Sequence, residues 1–349
     1  MNMSIRQLPI DIIELLESKF KIDPVFTEKD WYTQHVLGVI ARFESDEFQP
    51  IFSGGTSLSK GYGLIQRFSE DVDFRVRPLK EKLTRSYRSN YQDRLVEAIL
   101  ASSSDLQLVR EVYKRDRSTF LKCQIAYPSQ FADTNTVRSH IQVELTFEPP
   151  QLEPAVRPLS SLVNQFTQQP PEIAGMACLN LAETAADKLA ALSWRVVSKE
   201  PDSERYDPRI IRHLYDLSYL SPEIINNPNW SKLSLKTISH DLKTRDKSLA
   251  SQFNSPQELL NQLVNKLVSN QLYREHYRNF VEDFTYGASL SFDEAIDSLS
   301  ALTGKLLEER QSIENSVVKE FTDDTISIDP NWQEENNYLE ESDEMDLSP

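Results

Sequence analysis

Apolar side chains recur at the helical period over about Leu8 to Phe20 and Glu28 to Phe43, and this spacing predicts two helices at the amino end. The period then changes. Ile51 and Phe52 read as a strand end, Gly54 and Gly55 as a turn where backbone must approach a neighbour closely, and Thr56 to Leu64 as the helix that follows. In Asp71-Val72-Asp73-Phe74, alternation by two sets both aspartates on one face of a strand and Val72 and Phe74 on the other. A helix is predicted near Arg88 to Ser102, with strands around Leu106 to Tyr113, Phe120 to Ala126 and Ile141 to Phe147. In the last of these Ile141, Val143, Leu145 and Phe147 face a core, which leaves Gln142, Glu144 and Thr146 on the opposite face.

Past a stretch running from Pro149 to Pro171 the pattern is helical throughout, over Ala177 to Val197, Arg209 to Leu220, Pro256 to Val268 and Phe292 to Leu307. The organisation expected is therefore an α+β domain with a mixed sheet over residues 1–150, a linker over 151–171, and a helical domain over 172–318. The chain of 349 residues is long enough for two cores, and it contains no internal repeat.

The chemistry concentrates in residues 52–76, FSGGTSLSKGYGLIQRFSEDVDFRV. Two carboxylates roughly 7 Å apart on one strand face offer hard oxygen to a divalent cation, and the glycine loop lies where a triphosphate would sit. Loop amides at a helix start attract anions. A second segment, ACLNLAETAADKLAALSWRVV over residues 177–197, sets Leu181, Lys188, Leu192 and Arg195 on or near one face of an alanine-rich helix. Lys188 then points where apolar neighbours point.

A Gly-Gly/Ser loop followed by an Asp-x-Asp strand resembles the signature of the polymerase-β-like nucleotidyltransferase superfamily. Within it, Gly54, Gly55, Thr56, Leu58 and Lys60, then Arg67, Ser69, Asp71 and Asp73, resemble the motif of the AbiEii/MenT-type nucleotidyltransferase toxins. Lys188, Ala191, Leu192 and Arg195 match a further Lys-x-x-Ala-Leu pattern of that family; Arg212, Tyr215, Asp216 and Leu217 match an Arg-Asp-x-Tyr-Asp-Leu helix. The chain departs at His213, where the family often has the first aspartate, so Asp216 carries the match there.

The resemblance implies a polymerase-β-like fold and a Mg²⁺-dependent enzyme that moves nucleotides from an NTP to a tRNA 3′ end, halting translation as a toxin in a toxin–antitoxin or phage-defence system. Asp71 and Asp73 are then the expected metal ligands, and Glu144, on a neighbouring strand, is the candidate third carboxylate. Gly54, Gly55, Thr56, Ser57 and Ser69 are expected to bind phosphate, with Lys188 and Arg195 on the nucleotide. Asp216 is expected to position Lys188 or Arg195, or to touch the nucleotide. A small hydroxylated acceptor, or an idle module binding RNA or protein, stays open as an alternative.

Composition adjusts this picture in three ways. First, from Lys319 onward eleven acids face one lysine, so a tail over residues 319–349 supplies −10 of the formal −16; with few apolar residues it is expected to be disordered. The tail leaves only −6 for the body. Basic residues gather at Arg75, Arg77, Lys80, Lys82, Arg85 and Arg88, and again at Arg110, Lys114, Arg115, Arg117 and Lys122, a rim suited to an RNA end. Second, no run of about 18 apolar residues and no signal-peptide pattern occurs, which predicts a cytoplasmic protein without a membrane span. Third, Cys123 and Cys178 read as reduced core residues, and the five scattered histidines predict no zinc site.

Overall fold

The structure is a computed structural model that describes residues 4–131, 138–204, 206–244, 252–253 and 255–323. Two helices lead, α1 (Ile10–Phe20) and α2 (Pro24–Arg42). Asp23 starts α2 by accepting a hydrogen bond from the Val25 amide at 2.9 Å, with Pro24 at the first helical position. Strand β1 (Phe48–Ser53), helix α3 (Gly54–Lys60) and strand β2 (Asp71–Pro78) follow, then α4 (Arg85–Ala101). Next come β3 (Gln107–Leu108), β4 (Tyr113–Arg115), β5 (Phe120–Ala126), β6 (His140–Thr146) and β7 (Ala155–Leu159). A short α5 (Leu162–Phe166) leads to β8 (Ile173–Cys178). The remainder is helical: α6 (Leu181–Ser198), a 3₁₀ turn (Pro208–Ile211), α7 (Arg212–Ile224), α8 (Pro228–Thr244), α9 (Pro256–Ser269), α10 (Gln271–Phe284) and α11 (Phe292–Asp323).

The strands make one mixed sheet in the order β3, β5, β6, β2, β1, β8, β7, with β4 also on β5. Strand β2 runs antiparallel to β1 and parallel to β6, and β1 runs parallel to β8. Alternation decides the two faces. Val72, Phe74 and Val76 of β2, Leu121 and Cys123 of β5, and Ile141, Val143 and Leu145 of β6 pack with Tyr32, Val36, Leu37 and Ile40 of α2 and Tyr91, Leu95 and Ile99 of α4. The opposite face keeps Asp71, Asp73, Gln142 and Glu144 beside one another, because Asp71 stands across from Gln142 and Asp73 across from Glu144 in the β2–β6 register.

The α+β class with a mixed sheet holds. The segment expected to link two domains differs from expectation: within 151–171 lie β7 and α5, and β8 follows at once. Strand β8 pairs with β1 at Phe52 and Cys178, and β7 covers its outer edge, so the sheet draws on chain well past residue 150. The single strand expected over Leu106 to Tyr113 is two short ones, β3 and β4, and the helix after the glycines starts at Gly54 and stops at Lys60. Both cysteines are free and buried, and burial pushes the Cys123 thiol up to about 12.

Residues 1–305 form one compact unit and residues 306–349 another. The second is described only through residue 323, where it is helical. The acidic tail expected from 319 therefore begins in helix, and from residue 324 onward it lies outside the described residues. Among the described residues no helix is long and apolar enough to cross a membrane.

Candidate active site

The glycine pair is explained by two side chains. Gly54 has φ +74°, and a Cβ there would fall 2.2 Å from Asp73 Oδ2; a Cβ on Gly55 would fall 2.1 Å from Arg67 Nη2. The turn thus seats the Asp73 carboxylate at one glycine and a guanidinium at the other. Gly54→Ala is expected to lower stability by more than about 1 kcal/mol, because the left-handed backbone and the lost space act together. Urea unfolding measures that cost. An unchanged midpoint would mean that Asp73 can move aside freely.

Arg67 is buried, and its guanidinium binds Asp216 through two bonds, Nε to Oδ1 at 2.6 Å and Nη2 to Oδ2 at 2.8 Å, while Nη1 donates to the Phe68 carbonyl at 2.9 Å. Lys188 Nζ donates to the same Asp216 Oδ2 at 2.5 Å. Burial alone would raise the Asp216 carboxyl, but Arg67 and Lys188 together hold it well below the usual carboxylate range. Burial pushes the Lys188 amine down, opposed by Asp216. The triad joins the loop before β2 to α6 and α7. Of the roles open to Asp216, positioning Lys188 is the one this geometry supports.

The carboxylates meet on the sheet face. Asp71 Oδ1 accepts from Arg138 Nη1 at 2.7 Å and from Gln142 Nε2 at 2.8 Å, and Gln142 Nε2 also donates to Glu144 Oε1 at 2.8 Å. Gln124 Nε2 donates to Gln142 Oε1 at 3.1 Å, which orients the amide with its nitrogen toward the acids. Lys122 lies 3.2 Å from Glu144. Asp73 stands between these acids, and its carboxylate accepts no hydrogen bond from the described residues. Burial first, then the charges of Asp71 and Glu144, push it up to about 7. Among the described residues no three His, Cys, Asp or Glu side chains are already arranged as a metal-binding cluster.

Asp73 and Glu144 line a cavity of about 540 Å³ together with Ser53, Gly54, Lys188, Arg195, Arg212 and His213. Arg195 Nη1 lies 3.5 Å from His213 Nε2, and burial with Lys188 and Arg212 nearby holds that imidazole well below its ordinary range, hence neutral. Residues of α8, including Thr237 and Asp241, close another wall. The remaining expected loop residues lie elsewhere: the Thr56 hydroxyl donates to the Asp71 carbonyl at 2.5 Å, Ser57 is buried, and Ser69 lines a smaller hollow with Lys29, Lys60 and Arg67. Arg212 belongs to the motif matched in the sequence but had no role assigned to it, and Gln142 and the α8 wall were not foreseen. The position of Gln142 beside Glu144 on one strand face was a legible signal, and α8 offered none.

Much of the expected basic rim is already paired. Arg75 lies 2.6 Å from both Glu183 and Asp187, Lys114 lies 2.6 Å from Asp93, and Arg77 contacts Glu153. Lys82, Arg85, Arg110 and Arg117 are exposed.

No curated protein matches the chain by sequence. Among solved structures, MenT4, a nucleotidyltransferase toxin from Mycobacterium tuberculosis H37Rv, is similar at a TM-score of 0.53 over 88% of this chain and 97% of that one; at 14% identity the likeness shows a shared fold. Residues 38–298 match the family described as nucleotidyl transferase AbiEii toxin, type IV toxin–antitoxin system. That span takes in the glycine turn, both strand acids, Glu144, Lys188, Arg195 and Asp216, and the chain belongs to the AbiEii nucleotidyltransferase toxin family.

Proposed function

We propose that this nucleotidyltransferase toxin moves nucleotides from an NTP to the 3′ end of a tRNA in the cytoplasm, with Mg²⁺, and so blocks translation until a cognate antitoxin restrains it. The observation that carries the reading is a single cavity in which Asp73 and Glu144 share the lining with Lys188, Arg195 and Arg212. Acids at one part and cations at another match a metal-bound triphosphate. The tRNA is what kinship with the toxins implies, and the exposed Lys82, Arg85, Arg110 and Arg117 suit a polyanionic acceptor.

By its chemistry the donor set suits a divalent cation, although its acids are not gathered into a metal-binding cluster among the described residues. Asp71, Asp73 and Glu144 offer hard oxygens; burial first, then the charges of Asp71 and Glu144, push Asp73 up to about 7, and a cation among them would relieve that repulsion. These three side chains would hold Mg²⁺, which when bound supplies neutralising charge on the triphosphate and a lower pKa for the attacking hydroxyl.

The chain's own residues account for the rest. Lys188, Arg195 and Arg212 bind triphosphate oxygens. As the acceptor oxygen bonds the α-phosphorus and the bond to pyrophosphate breaks, Lys188 neutralises charge on the leaving group, its amine aimed by Asp216. Gly54 leaves room for the Asp73 carboxylate against the backbone. Gly55 leaves room for the Arg67 guanidinium, and the Thr56 hydroxyl ties the turn to the Asp71 carbonyl of β2.

Lys188→Ala is expected to lower kcat more than nucleotide affinity, since the charge it meets develops in the transition state. Single-turnover rates beside NTP binding separate the two. Weaker NTP binding with an unchanged rate of the chemical step would make Lys188 a ground-state contact only. The reading as a whole is tested by incubating the protein with total RNA, Mg²⁺ and each labelled NTP in turn. Label on tRNA is expected; label only on a small hydroxylated acceptor would replace the RNA reading.

A further inference from the structure

The row of residues that holds Asp73 does not stop at Glu144. Glu144 stands across from Lys122 on β5, and Lys122 across from Tyr113 on β4, so Asp73, Glu144, Lys122 and Tyr113 form one line across four strands on one face. The neighbouring line runs Arg75, Thr146, Phe120, Arg115. Three strand spacings of about 4.8 Å set Tyr113 on the order of 14 Å from Asp73, a reach of a few nucleotides.

This end of the face is open and chemically distinct. Tyr113 is 52% exposed, and its ring meets Phe120 edge-on with centroids 6.3 Å apart. The Arg115 guanidinium lies 5.1 Å from the Phe120 ring centre and its Nε donates to Asp116 Oδ2 at 2.9 Å, an exposed pair with 58% of the arginine side chain open to solvent. From Tyr113 to Lys122 the hairpin carries four cations, Lys114, Arg115, Arg117 and Lys122, against Asp116 alone. Its turn is held in an unfavourable shape: Asp116, Arg117 and Ser118 have φ of 52°, 55° and 62°, in the left-handed region that residues with a Cβ seldom adopt. Helix α4 pins it, with Arg88 Nη2 donating to the Arg117 carbonyl at 3.2 Å and Gln92 Nε2 to the Ser118 carbonyl at 3.0 Å.

We propose that this face is the acceptor platform: single-stranded RNA lies across β6, β5 and β4 with its 3′ hydroxyl at Asp73, a base stacked on Tyr113 and Phe120, and phosphates beside Arg115 and Arg117. The proposal rests on the RNA-acceptor reading above. Stacking on an aromatic face flanked by cations binds single strands with little regard to sequence. A small acceptor would need nothing so far from the acids.

Fluorescence anisotropy with a labelled single-stranded RNA tests it directly. Tyr113→Ala is expected to weaken RNA binding about tenfold, the scale of one lost stacked base, while Tyr113→Trp keeps it. The Arg115→Ala/Arg117→Ala double variant should flatten the salt dependence of binding, because fewer counterions are released. NTP affinity is expected to stay the same in all three, and urea midpoints guard against unfolding. Unchanged RNA affinity in the folded alanine variants, or no RNA binding by the unaltered chain, overturns the platform. Failure of the transfer reading would look different: RNA and NTP would both bind, the variants would weaken RNA as expected, and no RNA would be labelled.

Discussion

Asp73→Asn is expected to lower nucleotide transfer a hundredfold or more while leaving the unfolding temperature equal or higher. The activity loss follows from the place of Asp73: its carboxylate stands at the cavity beside Gly54 and Glu144, and removing one charged group that acts in the transition state typically costs 10²–10³, or about 3–4 kcal/mol. The stability effect follows from its electrostatics. Burial, Asp71 and Glu144 push the carboxyl up to about 7, against ~3.9 in an unfolded chain. The folded state therefore holds the proton more tightly, so ionising Asp73 costs stability progressively as pH rises from ~4 to about 7. An amide escapes that cost at pH 8. For the same reason Mg²⁺ should raise the melting temperature of the unaltered chain more than that of the variant. Thermal unfolding with and without Mg²⁺, beside transfer assays, checks both parts. A variant of near-normal activity would remove Asp73 from the site, and a large loss of stability would mean that its carboxylate anchors the fold.

Asp216→Ala is expected to give the largest loss of stability of any single change at the site, about 3–5 kcal/mol, because it leaves two buried cations without their counter-charge. Asp216 has no exposed surface, and the side chains of Arg67 and Lys188 are 3% and 7% exposed. Lys188→Ala should cost less, since Asp216 keeps both bonds to Arg67. Urea unfolding of the two variants side by side measures the difference. If Asp216→Ala were no worse than Lys188→Ala, the triad would not be joining the Arg67 loop to α6 and α7.

The motif segments were legible because their chemistry is local. A glycine pair before an alternating Asp-x-Asp strand states its strand face and its open backbone within a few residues, and β6 states its faces in the same way. β8 was not legible. Its sequence, IAGMAC, is short and has small residues at four of six positions, so neither period shows, and it becomes a strand because β1 offers a parallel partner at Phe52. The seam expected between two domains disappeared for the same reason: prolines and polar residues in 151–171 looked like a linker, whereas Val156 and Arg157 pair with β8 on the sheet edge.

What the sequence determined by itself is the family motif, the α+β class, and which face of β2 and β6 carries acid, since these depend on periodicity and on residue chemistry along a few positions. Which groups meet was decided by tertiary structure. Arg67 and Asp216 are 149 residues apart yet share two hydrogen bonds, Gln142 bridges acids from two strands, and Tyr113 falls in line with Asp73 only through three successive strand pairings. Strand register and burial set these contacts. Neither is encoded in any one segment, because each strand's partner and each buried charge's counter-charge lie elsewhere in the chain.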